Sequence, residues 1–250
     1  MPDILGQVLA TPGLIWLLAT ISVAGIIRGF TGFGTALIFV PVAGIFLMPA
    51  QVIALMTLTG VFSTTALLPR AWGLAHKREV STLAIAALIT VPLGLWLLGL
   101  VEREVIRWLV AAIAGVTLAS LIAGWRFARH VAPLGLLAIG GAAGLIGGLT
   151  GLTGPIVIMF YLAGHSAAAS VRANTILFLA ILDVVLIVNL ALSGHLGLEI
   201  IGLAAILGVP YFITSLIGQA LFDPTYEQAY RWATYVVITL ALISGLPVWS

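Results

Sequence analysis

The sequence predicts an all-α, polytopic membrane protein of two inverted repeats, each a short-helix hairpin followed by three transmembrane helices. Three observations carry that reading. Of 250 residues, 62% are hydrophobic and only 7% charged, against about a quarter charged in an ordinary soluble domain. Ten apolar runs are separated by charged or Pro/Gly breaks, and two glycine clusters recur at an offset of 119. A surface so poor in charge is penalised by water, whereas a hydrocarbon layer about 30 Å thick accepts it.

The runs fall in a repeating order. The first two, 13–28 and 35–48, are shorter than the roughly 20 residues a helix needs to cross a bilayer. Three long runs follow at 51–69, 80–100 and 104–124. A second short pair, 133–146 and 155–164, precedes long runs at 171–192, 197–221 and 225–247. The expected units are residues 1–125 and 126–250, joined in one integral membrane domain. No Lys or Arg precedes Arg28, so the basic start of a cleavable signal peptide is missing and the first run is expected to be retained. With no cysteine, disulfides, thiolate chemistry and Cys-ligated metals are excluded.

The halves resemble each other in detail. Ala24-Gly25-Ile26-Ile27-Arg28-Gly29-Phe30-Thr31-Gly32 matches Ala143-Gly144-Leu145-Ile146-Gly147-Gly148-Leu149-Thr150-Gly151 at six of nine positions. Val91-Pro92 answers Val209-Pro210, and Arg107-Trp108 answers Arg231-Trp232. Such self-similarity reads as a tandem duplication.

Basic residues orient the chain. Arg70, Lys77 and Arg78 share one connection, Arg126 and Arg129 another, with two crossings between, so both are expected on the cytoplasmic face. If each short pair enters and leaves by one face, both termini are extracytoplasmic, and Glu102 and Glu104 face outward. Arg172 and Arg231 then lie inside, making seven of ten basic residues cytoplasmic. The loop at 70–78 and its counterpart at 193–199 fall on opposite faces, so the halves are inverted. Short, glycine-interrupted segments at matching positions of inverted halves point to a transporter site near the midplane. The competing reading is that Gly25, Gly29, Gly144, Gly147 and Gly148 let helices pack closely.

Between the short runs lie Arg28-Gly29-Phe30-Thr31-Gly32-Phe33-Gly34-Thr35 and Gly147-Gly148-Leu149-Thr150-Gly151-Leu152-Thr153-Gly154-Pro155. Irregular backbone at membrane depth is tolerated only when buried in protein or lining a cavity. The helices starting near Thr35 and Pro155 present free N–H groups and the positive dipole end, which suit an anion. The candidate substrate residues are Arg28, Gly29, Thr31, Gly32, Gly34, Thr35, Gly148, Thr150, Gly151, Thr153, Gly154 and Asn174. Against this, threonines in membrane helices commonly bond their own backbone carbonyls. Arg28 requires a partner at depth, either an anionic substrate or Asp183 near the middle of run 171–192. Asp183 is the candidate proton-coupling group, or else a helix-to-helix hydrogen bond.

Asn189 and Gln219 read as amides that join helices. His76, His130, His165 and His195 fall in loops or segment ends and do not cluster as metal ligands. Trp72, Trp96, Trp108, Trp125, Trp232 and Trp249 suit an aromatic belt. No His-Glu-x-x-His helix, Gly-x-Ser-x-Gly elbow or midplane carboxylate pair is present, which argues against an enzyme. A transporter of a small anion is favoured over an anion channel with the hairpins as filter, and over a nonconducting scaffold, which has no need of two helix-breaking loops at depth.

These two hairpins, Gly29-Phe30-Thr31-Gly32-Phe33-Gly34 and Gly148-Leu149-Thr150-Gly151-Leu152-Thr153-Gly154, in a duplicated membrane chain resemble the sulfite exporter TauE/SafE family, the TSUP permeases. The resemblance covers nearly the whole chain. It implies transport of sulfite, sulfonates or related small organic anions across a bacterial inner membrane. No cofactor and no nucleic acid are expected, and lipid is the surrounding partner.

Overall fold

The computed structural model describes residues 4–124, 132–163, 168–221 and 227–249. Within them the helices are α1 (Ile4–Leu9), α2 (Leu14–Thr31), α3 (Thr35–Phe46), α4 (Pro49–Leu74), α5 (Lys77–Leu98) and α6 (Arg103–Ile122). They continue as α7 (Pro133–Thr150), α8 (Pro155–Ala163), α9 (Ala168–Leu192), α10 (Leu198–Ala220) and α11 (Glu227–Gly245). The described residues contain no strand. Asp3, Trp125, Arg126, Arg129, His130 and His165 lie outside the described residues, as do the side chains of Arg231 and Trp249.

Seven helices, α2, α4, α5, α6, α7, α9 and α10, are long and apolar enough to cross a membrane. The six long runs expected from sequence do not include α2 and α7, because their glycine clusters look like helix ends at 28 and 146. Both helices continue, to Thr31 and Thr150. The reason is packing. A glycine inside a helix costs about 1 kcal/mol, but here it lets two backbones touch. A side chain at Gly29 would strike the Ser215 carbonyl and lie 2.7 Å from Gly218 Cα on α10. One at Gly148 would strike Val91 and Gly94 on α5. Arg28, Gly29, Thr31, Gly148 and Thr150 are therefore helical, and the hairpin turns shrink to 32–34 and 151–154. At the other end of the chain, the described apolar part of α11 is the shorter helix Trp232–Gly245.

The contacts pair across the halves. The first hairpin helix, α2, packs on α10, and α7 packs on α5; α3 lies on α11, and α8 on α6. At the centre α4 meets α9, with α10 also on α4 and α5 also on α9. One core cluster runs through both halves, including Phe39, Leu55, Phe178 and Leu207. Outside it, Ile85, Ile89 and Trp96 on α5, and Val209 and Ile213 on α10, form exposed apolar stripes of the kind a lipid phase covers. Trp72, Trp96, Trp108 and Trp232 are exposed near helix ends, and Lys77 Nζ lies 4.6 Å from the Trp72 ring centroid at the α4–α5 turn.

Candidate functional site

Each hairpin turn is built the same way. Gly32 (φ 82°) and Gly151 (φ 78°) end α2 and α7 in the left-handed conformation, donating N–H bonds to Arg28 O and Gly147 O. Thr31 and Thr150 clip the turns. Thr31 Oγ1 bonds Ile27 O at 2.7 Å and accepts the Phe33 N–H at 3.2 Å. Thr150 Oγ1 bonds Ile146 O at 2.8 Å and accepts the Leu152 N–H at 3.2 Å. Gly34 (φ 97°) then caps α3, and α8 opens at Pro155, whose missing N–H costs nothing at a first helical position.

The two turns open onto one cavity. Its polar lining is Arg28, Thr35, Thr153, Asp183 and Tyr211, and Gly34, Gly154 and Pro155 place both short-helix N-termini at its wall. Met56, Ile158 and Leu179 are among its apolar side chains. Four lining pairs, Gly34 with Thr153, Thr35 with Gly154, Ala36 with Pro155, and Gly60 with Leu179, stand 119 residues apart. The charges break this pattern: at that offset Arg28 corresponds to Gly147 and Asp183 to Thr64.

Both charged side chains are buried, Arg28 at 4% and Asp183 at 8% exposure. Arg28 Nε and Nη2 have no hydrogen-bond partner among the described residues. No hydrogen bond from either of them reaches Asp183, although the carboxylate lies within electrostatic reach of the guanidinium. A buried guanidinium with open donors is costly unless something supplies acceptors. The Asp183 carboxylate is seated against Gly60 of α4, where a side chain would lie 2.9 Å from its Cγ. Thr35 Oγ1 and Tyr211 Oη are 2.6 Å apart, which holds the first turn of α3 against α10.

The structure thus brings Arg28, Gly34, Thr35, Thr153, Gly154 and Asp183 together on one cavity. The other candidates do different work. Gly29 and Gly148 are helix contacts, and Thr31, Thr150, Gly32 and Gly151 shape the turns. Arg172 on α9 donates to Gly29 O, and a side chain at Gly32 would meet its Cγ at 2.7 Å. Asn174 Oδ1 accepts the His76 N–H at 2.7 Å, fastening the α4–α5 turn to α9. Thr150 faces a smaller cavity lined by Arg107 and Val40. Sequence reasoning missed Tyr211 and Gly60. Tyr211 directly follows Val209-Pro210 in the repeat and carries a polar tip into an apolar segment, a combination that signals a buried partner.

Compared with known proteins, residues 17–245 match the family model described as Sulfite exporter TauE/SafE. No curated protein and no solved structure matches the chain.

Proposed function

This chain belongs to the sulfite exporter TauE/SafE family, and on that premise we propose that its central cavity is the substrate site of a secondary transporter. The chain is a multi-pass membrane transporter and not an enzyme. Its proposed cargo is a small sulfur-containing anion, sulfite or an organosulfonate, carried across the inner membrane by alternating access.

The observation that carries the reading is the convergence of two helix N-termini, at Thr35 and Pro155, on a buried guanidinium with open donors. Backbone N–H groups and the dipole at a helix start favour negative charge, and Thr35 and Thr153 add hydroxyls beside them. An oxyanion between these groups satisfies donors the protein leaves open. Apolar neighbours such as Met56 and Leu179 keep water away and strengthen each interaction.

Alternating access is supported by the way counterpart helices pack across the halves: α2 on α10 and α7 on α5, with α4 and α9 at the centre. In the proposed mechanism two related units, 1–125 and 126–250, so arranged around one site, expose it to each face in turn. The proposed orientation, with inverted halves and extracytoplasmic termini, has Lys77 and Arg78 at the cytoplasmic face, and their exposure is consistent with it.

The test is calorimetric titration of detergent-purified protein with sulfite and with an alkanesulfonate, repeated on Arg28→Gln. Charge-assisted hydrogen bonds contribute about 1.5–3 kcal/mol, so the variant should bind roughly ten- to a hundredfold more weakly while inserting normally. Equal affinity in the variant and the parent would remove the site.

A further inference from the structure

Resting on the reading of the central cavity as the anion site, we propose that Asp183 is its proton site. A monoanion and one proton occupy the cavity together, the anion on Arg28 and the proton on the Asp183 carboxylate. The loaded cavity then carries the same net charge as the empty one.

The lining of the cavity contains one cation and one anion, Arg28 from α2 and Asp183 from α9. Few titratable groups surround the carboxylate among the described residues; on α8 the Tyr161 hydroxyl lies towards Glu79 and Asn174. On α2 the carboxylate faces Arg28, and on α10 the Tyr211 hydroxyl, already joined to Thr35. The lining from α4 is Met56 and Gly60, and from α8 Pro155 and Ile158, none of which titrates. The charged residues of α5, Lys77, Arg78 and Glu79, lie at its first turn beside His76, which is bonded to Asn174. Asn174 is nine residues before Asp183, about 13 Å along α9. Arg172 is further still and is engaged with Gly29 O. Arg28 is therefore the charge that balances Asp183.

An anion entering this balanced site presents a second negative group to a single guanidinium. Two ionised anions sharing one buried cation leave one charge uncompensated, which costs several kcal/mol at low dielectric. Protonation removes that cost. The O–H bond forms on a carboxylate oxygen of Asp183, with the proton taken from water on the side where the cavity is open. It breaks on the opposite side as the anion leaves and the carboxylate again balances Arg28. Nothing is oxidised or reduced, and transport is electroneutral. A dianion would leave the loaded site one charge short, so the species carried is a monoanion, hydrogensulfite or a sulfonate.

The probe is methanesulfonate, whose charge does not titrate near neutrality. Its Kd for the purified protein, measured by calorimetry from about pH 6 to 9, should weaken roughly tenfold per pH unit at the alkaline end, the slope of one linked proton. Asp183→Asn should bind with a flat profile. A flat profile in the parent protein, or the parent slope retained in Asp183→Asn, would overturn the proton site and leave the anion site standing. Absence of binding by the parent at every pH would remove both. Should Asp183→Asn fail to insert, the parent protein in liposomes decides: one proton per sulfonate, read by an internal pH dye, supports the assignment, and proton-free flux overturns it.

Discussion

Thr35 and Tyr211 are joined by a 2.6 Å hydrogen bond between buried hydroxyls, 176 positions apart in the chain. It ties the N-terminal turn of the first hairpin's return helix to the middle of α10, so it sets where one wall of the cavity stands. A neutral hydrogen bond contributes about 1 kcal/mol. Tyr211→Phe and Thr35→Val should each lower stability by about that amount in denaturant titrations, and the double variant by less than their sum. A coupling energy near zero in the double-mutant cycle would mean the two hydroxyls do not act together.

Gly60 is the seat of the Asp183 carboxylate. Gly60→Ala places a methyl group against that carboxylate, and α4 cannot retreat because it is packed on both α9 and α10. The carboxylate must shift relative to Arg28. Alkanesulfonate affinity should change by about tenfold or more, equivalent to about 1.4 kcal/mol, with helical content unchanged by circular dichroism.

Asn174 is a candidate substrate residue in sequence, since it follows Arg172 in an apolar segment. Its amide oxygen instead caps the His76 N–H, and the side chain is 1% exposed. Asn174→Ala should therefore lower stability by about 1 kcal/mol and leave anion affinity within about twofold. A large loss of affinity with unchanged thermal stability would place Asn174 on the substrate path.

Thr153 and Thr150 separate two roles that sequence treats alike. Only Thr153 lines the central cavity, whereas Thr150 bonds Ile146 O and Leu152 N–H. Thr153→Val should weaken sulfite or sulfonate binding by about 1.5 kcal/mol, the low end for a hydrogen bond to a charged group. Thr150→Val should leave binding near the parent value while loosening the turn, read as a lowered Tm.

What the sequence made legible was what periodicity and repetition encode: apolar length, the offset of 119, and the glycine clusters that mark both hairpins. Arg28 and Asp183 stood out because charge is rare in this chain, and both line the cavity. Helix ends were harder, since a glycine that breaks a helix and one that admits a neighbouring backbone look the same in one dimension. Gly29 and Gly148 belong to the second kind. Tyr211 and Gly60 were hidden for another reason: each matters through a residue more than a hundred positions away, Thr35 and Asp183, and no local pattern records such a meeting.

The two kinds of glycine can be told apart by substitution. In Gly29→Ala the new methyl group meets backbone atoms of α10, at Ser215 and Gln219, which cannot rotate away as a side chain could. Overpacking of a tight contact costs about 1–3 kcal/mol, and more where backbone must move. Gly73 is a helical glycine near the end of α4 with nothing within 4 Å of an added Cβ. Gly73→Ala should be neutral or stabilising by up to about 1 kcal/mol, from the lower backbone entropy of alanine. Thermal unfolding in detergent should therefore show Gly29→Ala well below the parent and Gly73→Ala at or above it. Equal melting of the two variants would mean that α2 and α10 do not touch at Gly29, and the wall that holds Arg28 in the cavity would lose its support.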